Sequence, residues 1–130
     1  MFSTKGRYAL RIMVCLAGRR GRVVSVSEIA GELGISAKYA EQIMTILKRA
    51  GYVTAMRGSC GGYALAGSAE EYRAGDILRL MESSAFPGPC MSGECDSKEG
   101  CALKSMWNEL FAAGKAVLDK YTIAKLAYGD

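Results

Sequence analysis

Two short helical segments, each opened by a serine and closed by a glycine, constrain this chain more than any other feature. Ser25-Val26-Ser27-Glu28 fits a capping box, with Ser25 accepting from a backbone amide and Glu28 reaching back. The helix that follows is expected to bury Ile29 and Leu33, and Gly34 ends it. After the turn Gly34-Ile35-Ser36, Ser36 caps a second helix that runs to Ala50 and stops at Gly51. Ala40, Ile43, Leu47 and Ala50 form its apolar stripe, while Lys38, Glu41, Gln42, Thr45 and Arg49 fall on the other face. A short helix, a tight glycine turn and a longer helix with a polar face make a helix-turn-helix.

The flanking sequence extends this unit. Residues 3–18 read as a helix capped by Ser3 or Thr4, with Leu10, Met13, Val14 and Ala17 at helical spacing. Gly18 to Val24 is a basic turn. Tyr52 to Met56 reads as a strand and Tyr63 to Leu65 as its partner, joined by the glycine-rich turn Arg57-Gly58-Ser59-Cys60-Gly61-Gly62. A hairpin directly after a helix-turn-helix is a wing. Residues 75–82 predict one more helix. Residues 102–121 predict a long one, with Leu103, Trp107, Leu110, Phe111, Gly114, Val117, Leu118 and Tyr121 recurring at three and four. Thr122 is placed to cap a short terminal helix. The expected fold is mostly α with a small β-hairpin wing: a winged helix-turn-helix over 1–84, a cysteine-containing loop over 85–101, and a dimerisation helix with its tail over 102–130.

Composition narrows the function. The 130 residues are half apolar, enough for one core. Charged residues make up 23%, close to the globular average, which argues against disorder. No apolar run reaches the length of a membrane span, and the N-terminus lacks the pattern of a signal peptide, so the cytoplasm is the expected compartment. Residues 1–65 carry ten Lys/Arg against three Asp/Glu, a net +7, whereas 66–130 carry seven against ten, a net −3. A basic half joined to a mildly acidic half points to a polyanion partner for the first half, with chance and solvation as the plainer account.

Two constellations carry chemistry. The polar face of helix 36–50, set in a major groove, lets Gln42 pair with adenine, Glu41 accept from cytosine and Lys38 reach guanine or phosphate. Arg57 fits a wing residue entering the minor groove, and the hairpin glycines let backbone amides approach phosphate. The competing account is a solvated helix face beside an ordinary hairpin.

The second constellation is Cys90-x4-Cys95-x5-Cys101, in a stretch that also holds both prolines. Five cysteines without an export signal argue against a disulphide framework, and the absence of histidine removes Ser-His and Cys-His catalysis. Three thiols off any apolar stripe suit an iron–sulphur cluster, with zinc and bare redox thiols as alternatives. Cys15 reads as core filler. Cys60, at the wing tip, is either a tolerated small residue or an exposed thiol able to alter DNA contact on oxidation. Trp107 with Phe111 reads as core or dimer interface. No enzyme fingerprint appears: nothing supplies a substrate pocket or a nucleophile–base pair.

Several segments together resemble the IscR-like winged-helix transcription regulators (Rrf-type), which also include NsrR and CymR. They are Ser3-Thr4-Lys5-Gly6-Arg7-Tyr8-Ala9-Leu10, Ile35-Ser36-Ala37-Lys38-Tyr39-Ala40-Glu41-Gln42, Gly51-Tyr52-Val53 and Arg57-Gly58-Ser59-Cys60-Gly61-Gly62-Tyr63. The resemblance implies a bacterial homodimer joined through residues 102–121 that binds a pseudo-palindromic DNA operator. It implies Lys5, Ser36, Lys38, Tyr39, Glu41, Gln42, Arg57 and Gly61 as DNA-contacting positions. In the cluster-binding members three loop cysteines, here Cys90, Cys95 and Cys101, ligate a 2Fe–2S or 4Fe–4S cluster, with 2Fe–2S the first expectation here. One branch uses a histidine three residues after the last cysteine, where this chain has Lys104. Another uses an aspartate near position 8, where this chain has Tyr8. The fourth ligand therefore stays open between a carboxylate, Cys15, Cys60, a serine and a small thiol. CymR-like members lack the cysteines and bind no cluster. The sequence leaves open the signal sensed and the direction of regulation.

Overall fold

The computed structural model describes residues 3–81 and 103–129. Helix α1 (Thr4–Gly18) starts where Ser3 Oγ accepts from the Gly6 amide at 3.1 Å. Helix α2 (Val26–Leu33) starts where Ser25 Oγ accepts from the Glu28 amide, also at 3.1 Å. Gly34 ends α2 at φ 71°, a left-handed conformation that a Cβ disfavours. Helix α3 (Ala37–Arg49) follows at once, its first turn closed by Ser36 Oγ accepting from the Tyr39 amide.

Strands β1 (Val53–Met56) and β2 (Gly62–Leu65) pair antiparallel, with Val53 opposite Leu65 and Met56 opposite Gly62. A third segment joins them, because Val24 and Tyr63 exchange backbone hydrogen bonds of 2.8 Å in both directions. The wing is therefore tied to the chain just ahead of α2. A Cβ at Gly62 would lie 2.3 Å from the Val24 carbonyl oxygen, so only glycine admits this approach.

After a 3-10 turn (Ala69–Glu71), helix α4 (Ala74–Met81) packs against α1. Helix α5 (Lys104–Lys120) and helix α6 (Ile123–Tyr128) complete the described chain. Thr122 caps α6, accepting from the Lys125 amide at 3.0 Å. Although residues 102–130 group together in sequence, α6 returns to the first unit. Ile123 is fully buried in the cluster that contains Ile12, Ile43 and Ile77, and the Tyr128 hydroxyl donates to the Ala17 carbonyl at 2.9 Å.

The core is one contiguous cluster built from α1, α2, α3, β1, α4 and α6, with Ile12, Met13, Ile29, Ile43, Met44, Leu47, Ile77 and Ile123 all at zero exposure. Two expectations for α3 change. Met44 is buried, and Ala50 is exposed at the C-cap, because the face packed against α2, β1 and α1 is that of Ala40, Ile43, Met44 and Leu47 and the helix ends at Arg49.

Helix α5 differs from every other long element: it has no buried residue. Trp107, Phe111 and Leu118 are half-buried, but Leu103, Met106, Leu110 and Val117 are 52%, 50%, 42% and 54% exposed. Its attachment to α4 includes a polar cluster. Arg79 on α4 reaches Asp119 at 3.0 Å and Asp76 at 3.3 Å, and Lys115 reaches Asp119 at 2.8 Å. Lys115 and then Arg79 hold the Asp119 carboxyl below its ordinary range.

Candidate nucleic-acid interface

Helix α3 presents the expected polar face because its four buried residues fix the helix's rotation. With Ala40, Ile43, Met44 and Leu47 in the core, Ser36, Lys38, Glu41, Gln42 and Arg49 are left exposed. Thr45 is half-buried and donates to the Glu41 carbonyl at 2.8 Å, turning its hydroxyl back into the helix. That leaves Lys38, Glu41 and Gln42 as the free polar tips of the first two turns. The side chains of Glu41 and Lys38 form no ion pair among the described residues.

Tyr39 is half-buried, with its ring meeting that of Tyr8 on α1 edge to face at 6.0 Å between centroids. It fixes the first turn of α3 against α1, so a structural contact accompanies whatever part its hydroxyl plays. Lys5, half-buried in the first turn of α1, sits one turn ahead of that ring pair.

The hairpin puts Arg57, Ser59 and Cys60 at an exposed tip. The Gly61 amide donates to the Gly58 carbonyl at 3.0 Å, and a Cβ there would meet the Met56 carbonyl oxygen at 2.4 Å. Turn geometry accounts for Gly61, and Arg57 is the charged group the wing offers.

Of the cysteines, only Cys15 and Cys60 fall among the described residues; Cys90, Cys95 and Cys101 lie outside them. Cys15 is not simple filler. Its thiol lies 3.3 Å from Glu32 Oε2, which also holds Arg19 at 2.6 Å, so the trio bridges α1 and α2. Burial, and then the Glu32 carboxylate, push the Cys15 thiol above its ordinary pKa. Nothing in the spacing of residues 15, 19 and 32 announced this, since it depends on how α2 crosses α1. Among the described residues no three His, Cys, Asp or Glu side chains converge as metal ligands.

A family description, the iron-dependent transcriptional regulators named Rrf2, matches residues 2–129. The chain belongs to the Rrf2 family. The CymR regulator of Bacillus subtilis (strain 168) is 39% identical over 126 residues, which span 96% of this chain and 88% of CymR. Its solved structure, described as that of the global cysteine regulator, superimposes with a TM-score of 0.86 over 100% of this chain and 98% of that one. The oxidised form of Staphylococcus aureus CymR is 40% identical at a TM-score of 0.80, covering 98% of this chain and 95% of its own. The T. potens IscR structure is 33% identical at 0.81, covering 99% and 87%. The mostly helical fold with its hairpin wing is thus the Rrf2 winged helix, and these relatives are transcriptional regulators rather than enzymes. Among the described residues no helix is long and apolar enough to cross a membrane.

Proposed function

We propose that this protein is a cytoplasmic, homodimeric, sequence-specific DNA-binding regulator whose operator affinity is set by cysteine chemistry. The observation that carries the DNA-binding part is the rotation of α3. Four core residues turn Lys38, Glu41 and Gln42 outward together, with Arg57 offered by the adjoining wing. Base edges are read by Gln42 and Glu41; Lys38, Arg57, Lys5 and the Ser36 hydroxyl serve phosphate or groove contacts. Binding to a specific duplex that weakens steeply with salt is the expected result. Salt-insensitive or sequence-blind binding would reject it. Glu41→Ala is expected to relax base preference, because a carboxylate near phosphates is tolerated only where a cytosine amino group meets it. Unchanged preference in a binding-site selection removes that role.

The dimer is proposed from α5. Leu103, Leu110 and Val117 recur every seven residues, with Met106 and Ala113 between them, a seam for a second helix. Two copies would then set two α3 helices in successive major grooves of a pseudo-palindrome.

For the regulatory half, the oxidised S. aureus CymR structure at 40% identity supports a cluster-free reading, in which thiol oxidation or a protein partner changes DNA affinity. In the thiol case two cysteines lose two electrons and two protons to a peroxide or disulphide oxidant and form one disulphide. The exposed Cys60 and the Cys90, Cys95, Cys101 group are the candidates. The second reading is an iron–sulphur cluster held by Cys90, Cys95 and Cys101. It is supported by their spacing, by the iron-dependent family description and by the likeness to IscR. Such a cluster supplies one-electron chemistry and sensitivity to oxidants. Anaerobic purification separates the two: brown protein with iron and sulphide supports the cluster, and colourless protein after reconstitution supports the thiols.

A further inference from the structure

Thr4, Arg7, Tyr8 and Arg11 lie at i, i+3, i+4 and i+7 on one face of α1 and line an open groove of about 210 Å³. The groove is strongly cationic and nothing among the described residues neutralises it. Arg7 and Arg11 are both exposed, four residues apart, and neither forms an ion pair among the described residues. Like charges at that spacing repel. The first turn of α1 contains Lys5 and no acid, so the positive end of the helix dipole adds to the same field. By contrast, Arg19 and Arg79 are each held by carboxylates. The Arg11 guanidinium lies over the Tyr8 ring at 5.4 Å, which steadies it without altering its charge.

The position of this groove identifies its occupant. Tyr8 forms one wall and its ring meets Tyr39, in the first turn of α3 beside Lys38. The cationic groove therefore borders the end of the helix assigned to the major groove, where the sugar–phosphate backbone runs along the rim. Guanidinium is the side chain whose planar donors match a phosphate's oxygens. We propose that the Thr4–Arg7–Tyr8–Arg11 groove seats one DNA backbone phosphate flanking the base pairs read by α3, with Arg7 and Arg11 supplying charge and the Thr4 and Tyr8 hydroxyls supplying further donors. This inference rests on the DNA-binding reading above and adds a contact outside the recognition helix and the wing. Its effect is on affinity and register, not on base preference.

The test is duplex binding by the full chain as a function of salt, for the wild type, Arg7→Gln, Arg11→Gln and Arg11→Lys. Both Gln variants are expected to weaken specific and non-specific duplexes alike, by about fivefold per contact at 0.15 M salt, and to flatten the slope of log K against log salt by about 0.9 per lost phosphate contact. Arg11→Lys is expected to keep the slope and recover part of the affinity. Ethylation interference on wild type and variants is expected to lose one phosphate per half-site. Unchanged slope and footprint in both folded Gln variants would overturn the proposal and leave the DNA-binding reading intact. Inorganic sulphate binding that needs both arginines, with duplex binding unaffected, would reassign the groove to a free oxyanion and also overturn it. If the wild type shows no salt-steep duplex binding, the functional reading fails and this assignment fails with it.

Discussion

Helices α3 and α5 carry similar apolar periodicity and meet opposite fates. In α3 every residue of the stripe from Ala40 to Leu47 lies in the core, while in α5 no residue is buried and four large apolar side chains stay between 42% and 54% exposed. Period alone reports that a face is to be covered; it does not report by what. The difference lies in connection. Helix α3 is held by short turns on both sides, so its stripe packs against α2, β1 and α1 of the same chain. Helix α5 touches the rest mainly through α4, by the Arg79–Asp119 pair and the approach of Gly75 to Leu118. A stripe this long, left outside the core of the described residues, is the surface on which the proposed dimer rests.

The first way to break the contrast is to attack both helices alike. Ile43→Ala, or Ile123→Ala where α6 closes the same core, is expected to lose roughly 2–5 kcal/mol in urea unfolding. Leu110→Ala should lose far less once the protein is diluted to monomers; equal losses would mean α5 is covered within its own chain. Second, Leu110→Glu with Val117→Glu is expected to weaken self-association by about a hundredfold in sedimentation equilibrium, from lost apolar burial and like-charge repulsion. Helix content by circular dichroism should hold. Third, Gly62→Ala is expected to cost about 1–3 kcal/mol by driving the wing off Val24, and to loosen DNA binding with it. A neutral result would mean the hairpin floats free of α2.

The smaller tests sharpen the polar side of the comparison. Asp119 has its carboxyl held low by Lys115 and Arg79, so its contribution is present above the ordinary aspartate range and is lost as pH falls through the lowered folded-state value. Protection factors of the α5 amides, which remove the intrinsic slowing of exchange in acid, should therefore fall as pH is lowered in the wild type and lose that dependence in Asp119→Asn. Finally, maleimide labelling of the native protein should reach Cys60 before Cys15, and Cys15 should react faster as pH rises, since burial and Glu32 keep its thiol protonated. Equal rates would mean the Cys15–Glu32–Arg19 bridge is open in solution.

Much of the fold could be read from punctuation. Ser3, Ser25, Ser36 and Thr122 each cap the helix they were expected to start, and Gly34 turns where a left-handed residue was needed. These are local effects, settled within four residues. The Val24–Tyr63 pairing, the burial of Met44 in place of Ala50 and the return of α6 to α1 were not legible, because each depends on partners distant along the chain. The site divides the same way. Lys38, Glu41, Gln42 and Arg57 followed from helix phase and hairpin position, whereas the α1 groove emerges only once Tyr8 is seen against Tyr39, 31 positions later.

The placement of Ile123 and Tyr128 beside α1 has a consequence for synthesis. The hydrophobic interior begun by the first dozen residues stays open until position 128 has left the ribosome, so the nascent chain cannot finish its reader domain early. A stop codon before Ile123 would remove the closing piece from a domain whose other parts are all present.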